Sequence, residues 1–117
     1  MKYLLDSNAC IRLINGRSPQ LRNRILLEDL GQIVLCAVVK AELFAGAAKS
    51  QTPDLTLARQ KRFLDQFQSL PFDDKSAPVY AAIRADLERR GTPIGPIDML
   101  IAAIAISNNV TLVTHNL

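Results

Sequence analysis

Short apolar runs and longer stretches with helical spacing follow one another along this chain. "KYLL" at 2–5 is an apolar run stopped by Asp6, the pattern of a short buried strand, and Asn8 can cap a following helix through about Ile14 that ends at Gly16. In "SPQLRNRILLEDLG", Ser18 stands at the cap, Pro19 at the first helical position and Gly31 at the stop, which predicts a second helix over 19–29. "QIVLC" at 32–36 is rich in β-branched residues and predicts a buried strand, and "VVKAELFAGAAKS" then reads as a helix, mostly apolar apart from Lys40 and Glu42. The Ser/Thr-then-Pro start recurs at Thr52 and Pro53, with Phe63, Phe67 and Leu70 at helical spacing behind it. "LPF" at 70–72 predicts a short strand. Asp73 and Asp74 lead into a helix striped by Val79, Ile83 and Leu87 and ended by Gly91. A last helix covers about 97–107, stopped by Asn108 and Asn109, and "VTLVT" at 110–114 is the final strand.

Strands that alternate with single or paired helices are the signature of a parallel sheet covered by helices on both faces. The expected fold is therefore α/β: one three-layer α/β/α domain with a short parallel sheet of about four strands. A length of 117 residues fits one such domain, and 49% apolar with 21% charged residues is ordinary for a folded chain. The apolar start is too short for a signal-peptide core and the run at 99–106 too short to span a bilayer, so a cytoplasmic protein without membrane contact is expected. Cys10 and Cys36 lack metal-type spacing and read as buried reduced thiols. The net charge of +3 permits a nucleic-acid partner without demanding one.

Eleven residues are acidic, and eight of them have ready explanations on polar helix faces or at a strand-to-helix junction. The other three do not. Asp6 should emerge at the carboxyl end of the first strand, Glu42 lies about two turns into an otherwise apolar helix, and Asp98 starts a helix apolar around its circumference. Alone, each has a bland account: a strand-end turn, an exposed helix position, an N-terminal acid favoured by the helix dipole. In a parallel sheet, however, all three approach the edge where ligand crevices form. Converging carboxylates repel one another unless a cation neutralises them, and oxygen donors without His or Cys suit Mg²⁺ or Mn²⁺. Such a site suits phosphodiester hydrolysis by an activated water.

The stretches "LLDSNACI", "VVKAELFAGAAKS", "GTPIGPIDMLIAAIA" and "LVTHN", in this order, resemble the PIN-domain nucleases, and more closely the VapC-like toxins of bacterial type II toxin–antitoxin pairs. The resemblance spans essentially the whole chain and implies a PIN-like domain over 1–117 acting as a metal-dependent endoribonuclease. It places Asp6, Glu42 and Asp98 at the acidic metal-binding positions, with structured RNA, including tRNA, as substrate. Asn8 and Thr114 fall where family members keep polar residues that orient the carboxylates, and Ser7 stands where threonine is more usual. The implied partners are a VapB-like antitoxin and a second copy of the chain. Family members commonly continue past "THN" with a further acid, a strand and a tail, whereas this chain stops at Leu117, so either its C-terminal end is shortened or the three acids with Asn116 must suffice. The alternative is a catalytically weakened PIN fold that only binds RNA or antitoxin.

His115, the single histidine, reads as a polar residue after a strand; a general base or RNA contact is the sharper alternative. Ser7 and Ser107 lack a nucleophile-elbow context, and "GAAKS" at 46–50 lacks the first glycine of a phosphate loop. Arg12, Arg17, Arg59, Lys61, Arg62, Arg84, Arg89 and Arg90 are the basic residues available to RNA phosphates, with most expected to be solvated helix faces. Phe44, Phe63 and Phe67 read by default as core, with an antitoxin groove or dimer face as the alternative use of the 38–70 segment.

Overall fold

The computed structural model describes residues 2–27 and 30–114. Four strands, β1 (Tyr3–Leu5), β2 (Ile33–Cys36), β3 (Gln68–Leu70) and β4 (Thr111–Val113), form one sheet in the order β3-β2-β1-β4. Every pairing is parallel, with Tyr3 opposite Ile33 and Thr111, and Val34 opposite Gln68. Six helices connect and cover them: α1 (Ser7–Ile14), α2 (Pro19–Leu26), α3 (Ala37–Ala48), α4 (Pro53–Leu64), α5 (Ser76–Arg90) and α6 (Pro96–Ser107). All four residues of β2 are buried, so both faces of the sheet are covered, as the apolar run without alternation required.

The core is built from Leu4 and Leu5 of β1, Val34 and Leu35 of β2, Cys10 of α1, Val39 and Leu43 of α3, Leu64 of α4 and Ile104 of α6. Full burial of each aliphatic side chain is worth about 1.5–3 kcal/mol, which is why strands of three or four residues suffice. Phe44, Phe63 and Phe67 pack against this core, the last two with ring centroids 5.2 Å apart, so the default reading of the aromatic set holds. Both cysteines are free and fully buried, also as expected.

Four boundaries differ from the sequence pattern. Helix α1 is capped by Asp6, not Asn8: Asp6 is extended (φ −80°, ψ 177°), and its Oδ1 accepts the Ala9 N–H at 2.8 Å. Asn8 is thereby the second residue of the helix. The spacing that suggested a longer α4 fails because the helix ends at Leu64, where the Phe67 N–H closes onto the Leu64 carbonyl at 3.2 Å. Phe67 then leads into β3, which pairs with β2 at 68–70 and not at 70–72, since Pro71 has no N–H to continue a ladder. Helix α2 stops at Leu26 instead of 29, and a 3-10 turn at Leu30–Gln32 brings the chain into β2.

Helix α6 is fixed from both ends. Ser107 near its end lies 3.0 Å from the buried Ser76 hydroxyl, which also donates to Asp73 Oδ1 at 3.2 Å, joining it to the start of α5. Its own start is set by Gly95 and Pro96 at the cap and first helical positions. Gly91, in the left-handed region at φ 66°, ends α5, and the Thr92 N–H reaches back to the Leu87 carbonyl at 3.1 Å. The chain then turns towards the carboxyl ends of the strands, where α6 begins.

Candidate metal and phosphodiester site

The sheet order has a switch point. The chain winds from β1 through β2 to β3 in one direction and then crosses back to lay β4 on the other side of β1. Crevices form outside the carboxyl ends of strands where winding reverses. A crevice of about 450 Å³ lies there, lined by Asp6, Ser7 and Asn8 after β1, Glu42 of α3, Asp98, Ile101 and Ala102 of α6, Ile94 before it, Leu112 of β4 and Thr114 just after it. All three carboxylates singled out in the sequence line it, together with Asn8 and Thr114. Asn116 and His115 lie outside the described residues.

Each acid is held differently. Asp6 is half-buried; its backbone N–H extends the β1–β4 ladder to the Val113 carbonyl at 3.1 Å, and its carboxylate caps α1 through one oxygen, leaving the other to the crevice. Glu42 is exposed on the second turn of α3 and accepts a short hydrogen bond from Ser7 Oγ. Asp98 is exposed in the first turn of α6. The cap there is Gly95, and among the described residues no side chain or backbone group hydrogen-bonds the Asp98 carboxylate; a Cβ at position 95 would stand 3.8 Å from its Oδ2.

The crevice is more open than the pattern of apolar neighbours suggested, with Glu42 and Asp98 both exposed. Burial of Met99, Ile101, Ala103, Ile104 and Ala105 fixes α6 as a rod, but Ile97 at its start is 37% exposed and Ile106 at its end 60% exposed. Among the described residues no three His, Cys, Asp or Glu side chains are grouped closely enough to enclose one ion. The donor set fits a hydrated Mg²⁺ or Mn²⁺ bound through one or two carboxylates with water filling the other positions, not a closed three-carboxylate cage.

Beneath the site lie the two thiols. Burial pushes Cys10 up to about 12, with the Asp6 carboxylate and then Cys36 adding in the same direction. Cys36, at the end of β2, is also raised, first by burial, with Glu42 contributing against the backbone N–H groups of Val38 and Val39. Both are protonated thiols at neutral pH.

A groove adjoins the crevice through their shared residue Glu42. It is lined by Ile11, Ile14 and Asn15 of the α1 region, Leu43 and Gly46 of α3, and Thr56, Arg59 and Gln60 of α4. Ile11 is 43% exposed on it, while Gln60 is buried and its Oε1 has no hydrogen-bond partner among the described residues. Gln60 gave no signal in the sequence, because its burial depends on the packing of α4 against α3.

Comparison with known proteins agrees with this architecture. The family model described as "PIN domain" matches residues 3–117. The tRNA(fMet)-specific endonuclease VapC of Salmonella typhimurium is 36% identical over 117 residues, which span 100% of this chain and 88% of that protein. Ribonuclease VapC2 of Rickettsia felis is 36% identical over 118 residues, with 100% of this chain and 88% of that protein covered. Among solved structures, VapBC2 from Rickettsia felis bound to a DNA fragment from their promoter is similar at a TM-score of 0.91 and 34% identity, covering 99% of this chain and 89% of that one.

Proposed function

Since the chain belongs to the PIN-domain family and, within it, to the VapC ribonucleases, we propose that it is a Mg²⁺- or Mn²⁺-dependent endoribonuclease toxin that cuts tRNA and is neutralised by a VapB-like antitoxin. The observation that carries the reading is the meeting of Asp6, Glu42 and Asp98, from three separate segments, in one crevice at the switch point.

Asp6, through the oxygen not used by the α1 cap, and Asp98, which has no partner among the described residues, are the direct cation ligands in this reading. Glu42 holds its place through Ser7 and takes a share of the charge directly or through water. When bound, the divalent ion lowers the pKa of a water and neutralises charge on the phosphodiester. Asn8 and Thr114, at the same mouth, supply neutral polar groups to orient water and substrate. The crevice is open and polar, in keeping with a macromolecular substrate that brings its own charge and need not be enclosed.

The apolar groove running from Glu42 past Ile11 and Leu43 to Gln60 is where an antitoxin segment would both bury apolar surface and reach the site. A donor from that segment would satisfy Gln60 Oε1.

Purified protein incubated with tRNA and Mg²⁺, beside Asp98→Asn, tests the assignment. The variant is expected to lose at least about 10²-fold in rate, the several kcal/mol a ligand to a catalytic cation supplies, while unfolding within about 0.5 kcal/mol of wild type in metal-free buffer. Equal cleavage by both proteins would remove Asp98 from the site. A second reading, a PIN fold that binds without cutting, is favoured by the lack of a tight three-donor group among the described residues. Calorimetry discriminates: no detectable Mn²⁺ binding at millimolar metal supports the binding module.

A further inference from the structure

A second polar cleft, of about 300 Å³, lies at the far end of α1 from the carboxylates. It is lined by Arg12 and Leu13 of α1, Gly16 in the turn, Ser18 and Pro19 at the start of α2, and Arg22 and Asn23 on the first two turns of α2. No acid lines it, and among the described residues neither Arg12 nor Arg22 has an ion-pair partner.

Ser18 makes the cleft more than a helix end with arginines nearby. It is 7% exposed, it occupies the cap position of α2, and yet its hydroxyl makes no cap hydrogen bond and has no other partner among the described residues. Capping serines normally bond the N–H of the second or third helical residue, so this first turn keeps both its hydroxyl and its backbone donors available. The turn before it is held tightly: Gly16 is left-handed at φ 66°, and the Arg17 N–H reaches back to the Arg12 carbonyl at 2.9 Å. Arg12 is thereby fixed in position opposite the start of α2. Two arginines, the unpartnered hydroxyl of a buried serine and the positive end of a helix dipole lining one space are the chemistry of a phosphate.

We propose that this cleft binds a phosphate of the RNA backbone beside the scissile one. The occupant rests on the ribonuclease reading above; the phosphate chemistry does not. Arg12 lies six residue steps after Asp6, about 9 Å along the axis of α1, so a strand whose scissile phosphate lies in the carboxylate crevice passes the cleft within a short step. Anchoring that neighbouring phosphate fixes the register of the strand across an otherwise open crevice and offsets repulsion between the RNA and the three acids.

The test reads binding without cleavage. Labelled tRNA is titrated with protein in EDTA at several KCl concentrations, comparing wild type with Arg12→Gln/Arg22→Gln, Ser18→Ala and, as a charge-matched control, Arg84→Gln/Arg89→Gln on α5. Each lost phosphate contact lowers the salt slope by about 0.7–0.9, so the cleft variant, which loses one, should lose about 0.7–0.9 in slope and at least about tenfold in affinity at low salt. Ser18→Ala should weaken binding severalfold with the slope kept, because it removes a neutral donor. A cleft variant that behaves like wild type, or no worse than the α5 control, overturns the proposal, and unchanged binding by Ser18→Ala removes the hydroxyl from it. Melting in inorganic phosphate against chloride of equal ionic strength separates the sources. Stabilisation that needs Arg12 and Arg22, with tRNA slopes unchanged, assigns the cleft to free phosphate and overturns the RNA role. Wild-type protein that shows the predicted slopes but cuts no tRNA with Mg²⁺ overturns the nuclease reading alone.

Discussion

Asp6 carries two jobs that substitution can separate. One oxygen caps α1 through the Ala9 N–H at 2.8 Å, and the charge faces the crevice shared with Glu42 and Asp98. Asparagine keeps a cap acceptor of equal quality and removes the charge. Asp6→Asn forgoes about 0.3–1 kcal/mol of interaction with the helix dipole but relieves repulsion among the acids, so its stability without metal should stay within about 0.5 kcal/mol of wild type. Asp6→Ala loses the cap as well, a further cost of about 1 kcal/mol. For a chain of 117 residues the unfolding entropy is about 0.25 kcal/mol per kelvin, so the alanine variant should melt about 4 °C below the asparagine variant. Both should lose tRNA cleavage by about 10²-fold or more. The assays are thermal melting in EDTA and gel-resolved cleavage with Mg²⁺. Wild-type cleavage by Asp6→Asn would reduce Asp6 to a helix cap, and equal melting of the two variants would show that the charge, not the acceptor geometry, holds α1.

Further substitutions test neighbouring parts of the structure. Ser7→Ala frees Glu42 from its hydrogen bond; Mn²⁺ affinity by calorimetry should fall about 10- to 100-fold with stability nearly unchanged, and an unaltered affinity would show that Ser7 does not orient the acid. Gln60→Met removes an unsatisfied buried acceptor at similar volume and should raise stability by about 1 kcal/mol in denaturant; a loss would show that the oxygen is satisfied in solution. Burial raises Cys10 to about 12 in the fold from its ordinary value of 9.0, so its stabilising contribution is intact below pH 9 and is lost as pH climbs from there towards 12. The unfolded chain ionises first, at about 1.4 kcal/mol per pH unit for this thiol, and urea midpoints at pH 8 and 10.5 should converge in Cys10→Ala relative to wild type.

Particular residues show what could be read in advance. Pro19, Pro53 and Pro96 announced three helix starts because a missing N–H and a fixed φ act within one turn. The burial of β2 followed from four apolar residues in a row. Asp6, Glu42 and Asp98 stood out because carboxylates beside apolar runs are costly without a reason. Asn8 was misread as the cap because two polar residues competed for one position, and only the extended backbone of Asp6 chose between them. The end of α4 was likewise invisible, since Phe67 and Leu70 keep a helical period by chance while the register of β3 on β2 sets their place. Arg22 and Gln60 carried no sequence signal, and Ser18 read as an ordinary cap although its hydroxyl makes no cap hydrogen bond, as exposure and lost partners arise only when α1, α2, α3 and α4 pack.

By itself, then, the sequence determined which segments are strands and helices, that the sheet is parallel, and which three acids needed an explanation, because these follow from periodicity, from caps and from the cost of charge near apolar neighbours. The tertiary structure alone decided that β4 returns beside β1, that the acids meet there in an open and not a closed crevice, and that an unpartnered serine and two arginines line one cleft at the other end of α1. Those outcomes depend on strand order, register and helix packing between residues far apart in the chain, which no local pattern encodes.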